Sequence, residues 1–316
     1  MAGITNKELV EKYIKHCKRQ GRTKKTIENY TSALSIFQGF LKTKKVSFLS
    51  VDGMESKEIL EDFLDYLRDQ RKVSFARIKV YFSALSHFYD FLAYNGYIKN
   101  NIVLTVRKMY VQEFKNGYVP AKRKIIEIDE MSTFVNSIMN LRDKAIVVLF
   151  VKTGIRRGEL ISIDVDEIDF QENTIQLKSI FKKRSRLTVF FDDECAAVLK
   201  QWLKRREYMV AKGEKALFIS DFGHRLQRRG VYDAVVKWAE YNGFHNGSSD
   251  LLKDHFTPHN LRHCFTTYLR RAGVPKSYVQ ELRGDKRGDV IDIYHHIYDD
   301  ELKKAYLAAI PKLNII

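Results

Sequence analysis

Three residues in the C-terminal part of the chain have types and a spacing that suit chemistry on a phosphate group. His259 and Arg262 lie three residues apart, and Tyr294 follows Arg262 by thirty-two residues. Pro258 suits the first turn of a helix, which predicts that His259 and Arg262 lie one turn apart near the helix N-terminus. Because that end of a helix favours anions, a basic pair there is poor for stability but well suited to holding a phosphate.

Transfer of a phosphodiester needs four groups: a nucleophile, positive charge near the non-bridging oxygens, a proton acceptor, and an acid for the leaving oxygen. A tyrosine phenol, with a pKa of about 10, attacks only when its proton is removed or its phenolate is stabilised by cations. Arg156, in the run TGIRRGEL, is a second candidate cation. An arginine offers phosphate oxygens a planar fork that lysine cannot reproduce.

Two sequence boxes carry a resemblance to a known family. Residues 153–160 have the pattern T-G-x-R-x-x-E-L, and residues 257–298 contain H-x-L-R-H, a Gly-centred turn, L-x-G and I-Y-x-H in that order. Boxes of this kind, about a hundred residues apart, resemble those of the tyrosine recombinases, the family of lambda-type integrases, Cre and the Xer proteins.

The resemblance implies a catalytic role for five residues. They are two arginines, a lysine, a histidine and a tyrosine nucleophile, namely Arg156, Arg262, Lys182, His259 and Tyr294. Lys182 best fits the lysine that protonates the departing 5′-oxygen, and Lys183 is its near competitor. The implied product is a 3′-phosphotyrosyl bond and a free 5′-hydroxyl. Since phosphoester energy is conserved, neither a metal nor a nucleotide cofactor is implied.

One position departs from the family pattern. The family usually has histidine or tryptophan directly after the L-x-G turn, where it donates a hydrogen bond to the phosphate, but this chain has Asp285. An ionised aspartate only accepts hydrogen bonds and is repelled by a phosphate. One interpretation is that Asp285 orients Arg262 or Arg156 while Lys286 or Arg287 takes the donor role. The other is that this segment is simple turn chemistry.

The composition favours a polyanionic partner. The 316 residues include 55 Lys plus Arg against 39 Asp plus Glu, a formal net charge of +16. Nucleic acid is the commonest partner for such an excess, although a solvated basic surface is the alternative. The three cysteines lack C-x-x-C spacing, which fits a reducing compartment. With no long apolar run and no apolar N-terminal core, we expect a cytoplasmic, nucleoid-associated protein without a membrane partner.

We predict a mainly α fold with a small antiparallel β-sheet, in two domains. Residues 1–111 show four helical periods and form a helical core DNA-binding domain, residues 112–124 a linker, and residues 125–316 the catalytic domain with its C-terminal tail. Basic residues on the helical faces of the first domain are candidates for gripping the DNA backbone. They include Lys24, Lys25, Lys44, Lys45, Arg77 and Lys79.

In the catalytic domain the pattern predicts helices at 129–139, 142–152, 192–210 and 229–241, and strands at 168–170, 174–177 and 187–191. The hairpin between the last two strands is strongly basic and should need an anion beside it. Its further candidates for DNA contact are Lys183, Arg184 and Arg186.

The tail, residues 301–316, carries apolar residues at helical spacing and is unsuited to lie in water. Our hypothesis is that it docks into a neighbouring protomer of a synaptic tetramer on DNA; the alternative is packing on its own domain. The partner should be double-stranded DNA with a specific recombination site, cut and rejoined by a site-specific recombinase or integrase.

Two rival functions stay open on the sequence. One is a catalytically impaired DNA-binding relative, which Asp285 alone supports, and the other is a type IB topoisomerase-like enzyme that relaxes DNA. A zinc site at His259 and His263 is disfavoured, because Asn260 stands where a metalloprotease helix needs glutamate.

Overall fold

The computed structural model describes residues 4–112, 123–178, 184–249, 251–285 and 297–315. Contacts divide the chain into two compact units, one up to residue 119 and the other from residue 120 onward. Each unit has its own apolar core. Within the described ranges, every helix is too short or too polar to cross a bilayer.

The first unit is helical. Its helices are α1 (Asn6–Arg19), α2 (Lys24–Thr43), α3 (Lys57–Asp65), α4 (Phe75–Tyr94) and α5 (Val103–Val106). Short 3-10 turns at Phe48–Ser50 and Met54–Ser56 precede α3, and π-helical turns at Tyr66–Gln70 and Arg107–Gln112 continue α3 and α5.

Local sequence explains where these helices begin and which face they bury. At the start of α1, Glu8 accepts a hydrogen bond from the Thr5 backbone N–H at 2.8 Å, and Thr5 Oγ1 accepts one from the Glu8 N–H at 3.3 Å, which completes a capping box. The apolar faces then pack around aromatic rings, such as Phe37 and Phe63, whose centroids lie 4.7 Å apart. The exposed faces keep most of the basic residues.

The second unit contains eight described helices and one sheet. The helices are α6 (Ile128–Ser137), α7 (Leu141–Thr153), α8 (Arg157–Ser162), α9 (Asp193–Glu207), α10 (Arg228–Tyr241), α11 (Pro258–Arg271), α12 (Lys276–Leu282) and α13 (Asp299–Ala309). The strands are β1 (Ile168–Asp169), β2 (Thr174–Gln176) and β3 (Thr188–Phe190), antiparallel in the order β1-β2-β3, with Ile175 opposite both Ile168 and Val189. The predicted fold class, mainly helical with a small antiparallel sheet, is confirmed.

Two helices at the centre of this unit position the candidate site. Nearly every residue of α7 is buried, and it packs against α9, α10 and α11. It ends at Gly154, which has a left-handed φ of 61° and lies so close to the Phe265 ring that a Cβ atom there would overlap it. This tight turn brings Ile155 and Arg156 next to α11.

Helix α11 begins as the sequence predicts, with Pro258 in its first turn. Asn260 caps the N-terminus of α11. Its Oδ1 accepts hydrogen bonds from the Thr257 backbone N–H at 3.1 Å and from the Thr257 hydroxyl at 3.0 Å. The first turns of α11 are thereby fixed, with His259 exposed and Arg262 buried.

In the single chain the C-terminal tail packs on its own unit, which is the alternative that the sequence left open; docking into a neighbouring protomer stays a prediction. Leu302 and Tyr306 of α13 are fully buried, and the Tyr306 hydroxyl donates to the Lys152 carbonyl at 2.9 Å. Leu313 is also buried, and its carbonyl accepts from Ser132 Oγ at 2.5 Å. The apolar spacing predicted that the tail is covered, but it could not say by which surface.

Candidate active site

Arginines from four separate parts of the second unit line one cavity of about 590 Å³. The walls come from the segment before α6, the turn between α7 and α8, helix α10, the start of α11 and the turn after α12. The lining residues that bear charge or titrate are Arg123, Arg156, Arg157, Tyr232, His259, Arg262, Arg283 and Asp285. The sequence-predicted Arg156, His259 and Arg262 therefore share one space, as a common phosphate site requires.

Arg156 is the residue before α8 and reaches the cavity from the turn that Gly154 makes. Its Nη1 donates to Glu159 Oε1 at 2.8 Å and its Nη2 to Asp285 Oδ1 at 2.5 Å. Its side chain is 38% exposed. The guanidinium has five N–H groups. Its contacts with the described residues use two of them, and the other three can bind a ligand.

Arg262 is held more deeply, with only 5% of its side chain exposed. It donates to the Gly154 carbonyl, to the Arg283 carbonyl at 3.2 Å and to Asp285 Oδ1 at 2.9 Å. Burial lowers the pKa of Arg262 to about 9, with Arg283 and Arg156 adding to the shift and Asp285 opposing it. Because that value lies well above neutrality, the guanidinium stays charged at pH 7.

Asp285 joins the two candidate catalytic arginines. A single carboxylate oxygen, Oδ1, accepts from both Arg156 and Arg262, while Oδ2 lies 3.0 Å from Arg283 Nε. The interpretation that Asp285 orients the two arginines matches this geometry. Charge-assisted hydrogen bonds from two guanidiniums to one oxygen fix their spacing and orientation.

A second carboxylate, that of Glu159, also holds Arg156 in place. Glu159 is 2% exposed and accepts from the Arg156 backbone N–H at 2.7 Å, from Arg156 Nη1, and from Arg184 Nη1 at 2.9 Å. Arg184 also donates to the Arg283 and Leu282 carbonyls at 3.1 and 3.3 Å. It passes against Gly284, whose φ is +62° and where a Cβ atom would lie 2.7 Å from Arg184 Nε. Arg184 thus ties the turn after α12 to α8.

His259 lies at the mouth of the cavity and contacts His263 edge-to-face, with ring centroids 4.6 Å apart. Desolvation lowers the pKa of His259 to about 4, and the charges of His263, Arg123, Arg262 and Arg283 act in the same direction. A histidine with so low a pKa is neutral at pH 7, which is the form that accepts a proton.

The remaining predicted catalytic residues lie outside the described residues. Lys182 and its competitor Lys183 fall in 179–183, and Tyr294 falls in 286–296, as do Lys286 and Arg287. Their roles remain predictions from the sequence.

The candidates for DNA contact divide into two groups. Those of the first unit are exposed, namely Lys24, Lys25, Lys44, Lys45, Arg77 and Lys79. Some have local partners, since Lys44 Nζ lies 2.6 Å from Asp62 and Arg77 Nε donates to the Tyr81 hydroxyl at 3.1 Å. Phosphate contact by these six residues stays a prediction from the sequence.

The prediction that Arg184 and Arg186 contact DNA is wrong. The Arg184 side chain is fully buried and paired with Glu159, and only 8% of the Arg186 side chain is exposed, 2.6 Å from Asp299 and over the Phe190 ring. The described residues of this basic run, Lys178, Arg184 and Arg186, each have an anion beside them, and in each case it is a protein carboxylate. A charge run in sequence does not reveal a carboxylate that arrives from a distant segment.

Two residues of the site received no role from the sequence. Glu159 belongs to the T-G-x-R-x-x-E-L box, and its place three residues after Arg156 at a helix start was a usable signal for a capping interaction. Arg283 had no such signal, because only the fold shows that the turn after α12 meets α11 and α8.

Comparisons with known proteins identify the family and the fold. The phage integrase family signature matches residues 124–301, and the phage integrase N-terminal SAM-like domain matches residues 9–98. Tyrosine recombinase XerC of Psychromonas ingrahamii is 28% identical over 308 residues, which is 96% of each chain.

Two solved structures have similar folds. One is the XerH site-specific recombinase bound to palindromic difH substrate, with a TM-score of 0.67 and 22% identity over 96% of this chain and 84% of that one. The other is a lambda integrase tetramer bound to a Holliday junction, with a TM-score of 0.62 and 17% identity over 92% and 81% of the two chains.

A helical unit followed by a mainly helical unit with this arginine-lined cavity defines the tyrosine recombinase class. More than half of the sequence lies within the matched catalytic region, and the chain belongs to the phage integrase family. The resemblance predicted from the two boxes is confirmed.

Proposed function

We propose that this protein is a site-specific DNA recombinase that cuts and rejoins DNA through a 3′-phosphotyrosyl intermediate. The observation that carries the proposal is the shared carboxylate of Asp285, which holds Arg156 and Arg262 at one cavity although they lie far apart in sequence. Paired guanidiniums with N–H groups left over suit the two non-bridging oxygens of a phosphodiester.

The chemistry needs no outside energy source. The Tyr294 oxygen forms a bond to phosphorus while the bond from phosphorus to the 5′-oxygen breaks. The phenolic proton passes to His259, which is neutral at pH 7, and Lys182 or Lys183 protonates the departing 5′-oxygen. The reverse attack by a 5′-hydroxyl of another strand regenerates the tyrosine and joins the new partner. Arg156 and Arg262 stabilise the charge that grows on the phosphorus centre.

The rest of the chain supports binding of duplex DNA. The net charge of +16 and the exposed lysines of the first unit favour contacts to phosphates, which supply affinity without sequence information. Exchange between two duplexes involves four strand cuts, so we infer assembly of four protomers on paired sites. The lambda integrase neighbour is a tetramer on a Holliday junction.

Asp285 was the one feature that favoured a catalytically impaired relative. Its contacts order the two arginines instead of leaving the site without an organising group. The geometry therefore gives no support to loss of activity at this position.

The proposal is tested by trapping the covalent intermediate. A duplex pool with a randomised core, nicked so that the cut strand loses its short 5′-hydroxyl fragment, is incubated with the full chain without metal or nucleotide. We expect a DNA–protein adduct that survives denaturant, and recombinant product only when two copies of the captured site are present. Failure to trap any adduct contradicts the proposal. So does relaxation of a supercoiled plasmid with a single site as fast as recombination of a plasmid with two sites.

The pH dependence of cleavage is expected to be flat on the acid side of neutrality. The pKa of His259 is lowered to about 4, so the neutral imidazole persists as the pH falls and is lost only as the pH approaches that value. The profile of kcat/KM for cleavage reports the free enzyme. It should stay constant between about pH 8 and about pH 5.5, roughly 1.5 units above that pKa. A profile that declines through a midpoint near 6.5 would show that His259 has an ordinary pKa or another role.

A further inference from the structure

We propose that Arg283 is a third phosphate-binding arginine of this active site, and that Asp285 is the positioning residue that sets all three guanidiniums. The inference rests on the proposed function, because it names an additional group that binds the scissile phosphate. Arg283 is the middle residue of the run Leu282-Arg283-Gly284, and nothing in its sequence context assigned it a role.

The first reason is position. Arg283 lines the same cavity as Arg156, His259 and Arg262, and 27% of its side chain is exposed there. Arg283 and Arg262 contact the two oxygens of the same carboxylate, Asp285, at 3.0 and 2.9 Å, so their guanidiniums are neighbours. A cation at this place faces the space that the phosphate of the proposed reaction would occupy.

The second reason is that Arg283 is held by one ion pair whose buried donor forms no hydrogen bond with good geometry. Its Nε is buried and lies 3.0 Å from Asp285 Oδ2, yet it has no hydrogen-bond partner among the described residues. Arg262, by contrast, uses three N–H groups on protein acceptors, and Arg156 uses two. Because this single contact lacks hydrogen-bond geometry, Arg283 is held less firmly than Arg156 or Arg262, and its guanidinium can turn toward a phosphate in the cavity.

The backbone of this residue already has a separate task. The Arg283 carbonyl accepts from Arg262 Nη2 and from Arg184 Nη1, at 3.2 and 3.1 Å. Those contacts fix the turn and do not depend on the Arg283 side chain. The side chain can therefore be changed without removing the hydrogen bonds that hold the cavity wall.

The third reason is the charge balance of the cluster. Arg156, Arg184, Arg262 and Arg283 contribute four positive charges, against the two negative charges of Glu159 and Asp285. The cluster thus keeps an excess of two positive charges. A bound phosphodiester carries one negative charge, and the five-coordinate state formed during attack carries two. Arg123 and Arg157 line the same cavity, and Arg283 adds to the positive charge that stabilises the transition state, where stabilisation accelerates the reaction.

Asp285 positions the guanidiniums of Arg156, Arg262 and Arg283 relative to one another. Its Oδ1 accepts from Arg156 and Arg262, and its Oδ2 lies against Arg283, so one carboxylate touches all three guanidiniums. Since it cannot donate to a phosphate, its contribution is to keep three like charges together. Three cations at one cavity would otherwise repel one another.

The test compares Arg283→Gln with the unsubstituted chain on two cleavage substrates. One carries the ordinary scissile phosphodiester, and the other carries an uncharged methylphosphonate at the same position. On the phosphodiester we expect cleavage to slow by about 10²-fold, the usual effect of removing one transition-state donor. On the methylphosphonate, which lacks the charge that Arg283 neutralises, the loss should shrink to less than about tenfold. Arg283→Lys should lose less than Arg283→Gln on the phosphodiester.

The matched control is Arg271→Gln, which removes an exposed arginine of α11 that pairs with Glu127. It should stay within about twofold of the unsubstituted chain on both substrates. Equal losses of Arg283→Gln on the two substrates would show a merely structural role, and a phosphodiester rate within about twofold of normal would show no role; either result overturns the inference. If the unsubstituted chain itself cleaves neither substrate, the proposed function fails and this inference falls with it.

Discussion

Replacing Arg262 with glutamine is expected to slow formation of the covalent DNA–protein adduct by about 10³-fold, at the upper end of the loss for one transition-state donor. The change removes a buried charge that contacts Asp285 at 2.9 Å and also donates to the Gly154 carbonyl. The phosphate loses the Arg262 guanidinium as a hydrogen-bond donor. Arg156 also loses the neighbouring arginine that shares the Asp285 carboxylate with it. Both effects act on the reacting centre and not on the distant DNA contacts.

The measurement is a single-turnover time course of adduct formation with saturating protein. Arg262→Lys keeps the charge but not the planar fork, and we expect it to lose about 10²-fold. Arg271→Gln, on the same helix, should behave as the unsubstituted chain. DNA affinity in a gel-shift assay should change by less than about threefold, because affinity comes from many phosphate contacts. Adduct formation by Arg262→Gln within about tenfold of normal would remove Arg262 from the mechanism.

Replacing Lys152 with methionine is expected to lower the free energy of unfolding of the second unit by about 3–5 kcal/mol, the cost of breaking a buried ion pair by removing one partner. Lys152 is 0% exposed, and its Nζ donates to Asp192 and Glu194 at 2.5 Å each and to the Pro311 carbonyl at 2.7 Å. The change leaves two carboxylates without their cation and frees the segment after α13.

Urea unfolding followed by tryptophan fluorescence measures this effect, because the two tryptophans of the chain, Trp202 and Trp238, both lie in the second unit. Lys204→Met, at an exposed position of α9, is the matched control and should change the free energy of unfolding by less than about 0.5 kcal/mol. Adding Asp192→Asn and Glu194→Gln to Lys152→Met should recover part of the loss. A loss below about 1 kcal/mol for Lys152→Met alone would mean that the cluster is not a stabilising one.

The sequence predicted the elements of the second unit well where a local signal existed. Pro258 marked the start of α11, and the alternating residues around Ile175 marked a strand of the small sheet. The destination of the tail was not predicted, because Leu313 and Tyr306 show apolar character but not which apolar surface lies opposite. Packing between distant segments is a property of the whole fold and leaves no local pattern.

The candidate site shows the same division between local and distant information. The two boxes identified Arg156, His259 and Arg262, and these residues do share a cavity. The sequence allowed two interpretations of Asp285, because the role of this carboxylate depends on which cations the fold brings to it. Arg184 was misplaced for the same reason, since Glu159 lies twenty-five residues away in sequence. Long-range ion pairs decide whether a basic residue faces a ligand or the protein.

We propose that Tyr294 is the nucleophile that attacks the phosphate held by Arg156 and Arg262. The most direct measurement is to digest the trapped adduct with trypsin and nuclease and to locate the nucleotide by fragment mass spectrometry. Cleavage after Arg287 and Lys303 releases residues 288–303, a peptide that contains both Tyr294 and Tyr298. The account predicts the nucleotide on Tyr294, no adduct from Tyr294→Phe, and a normal adduct from Tyr298→Phe. A nucleotide on Tyr298 or on any other residue, or an adduct that persists in Tyr294→Phe, would contradict it.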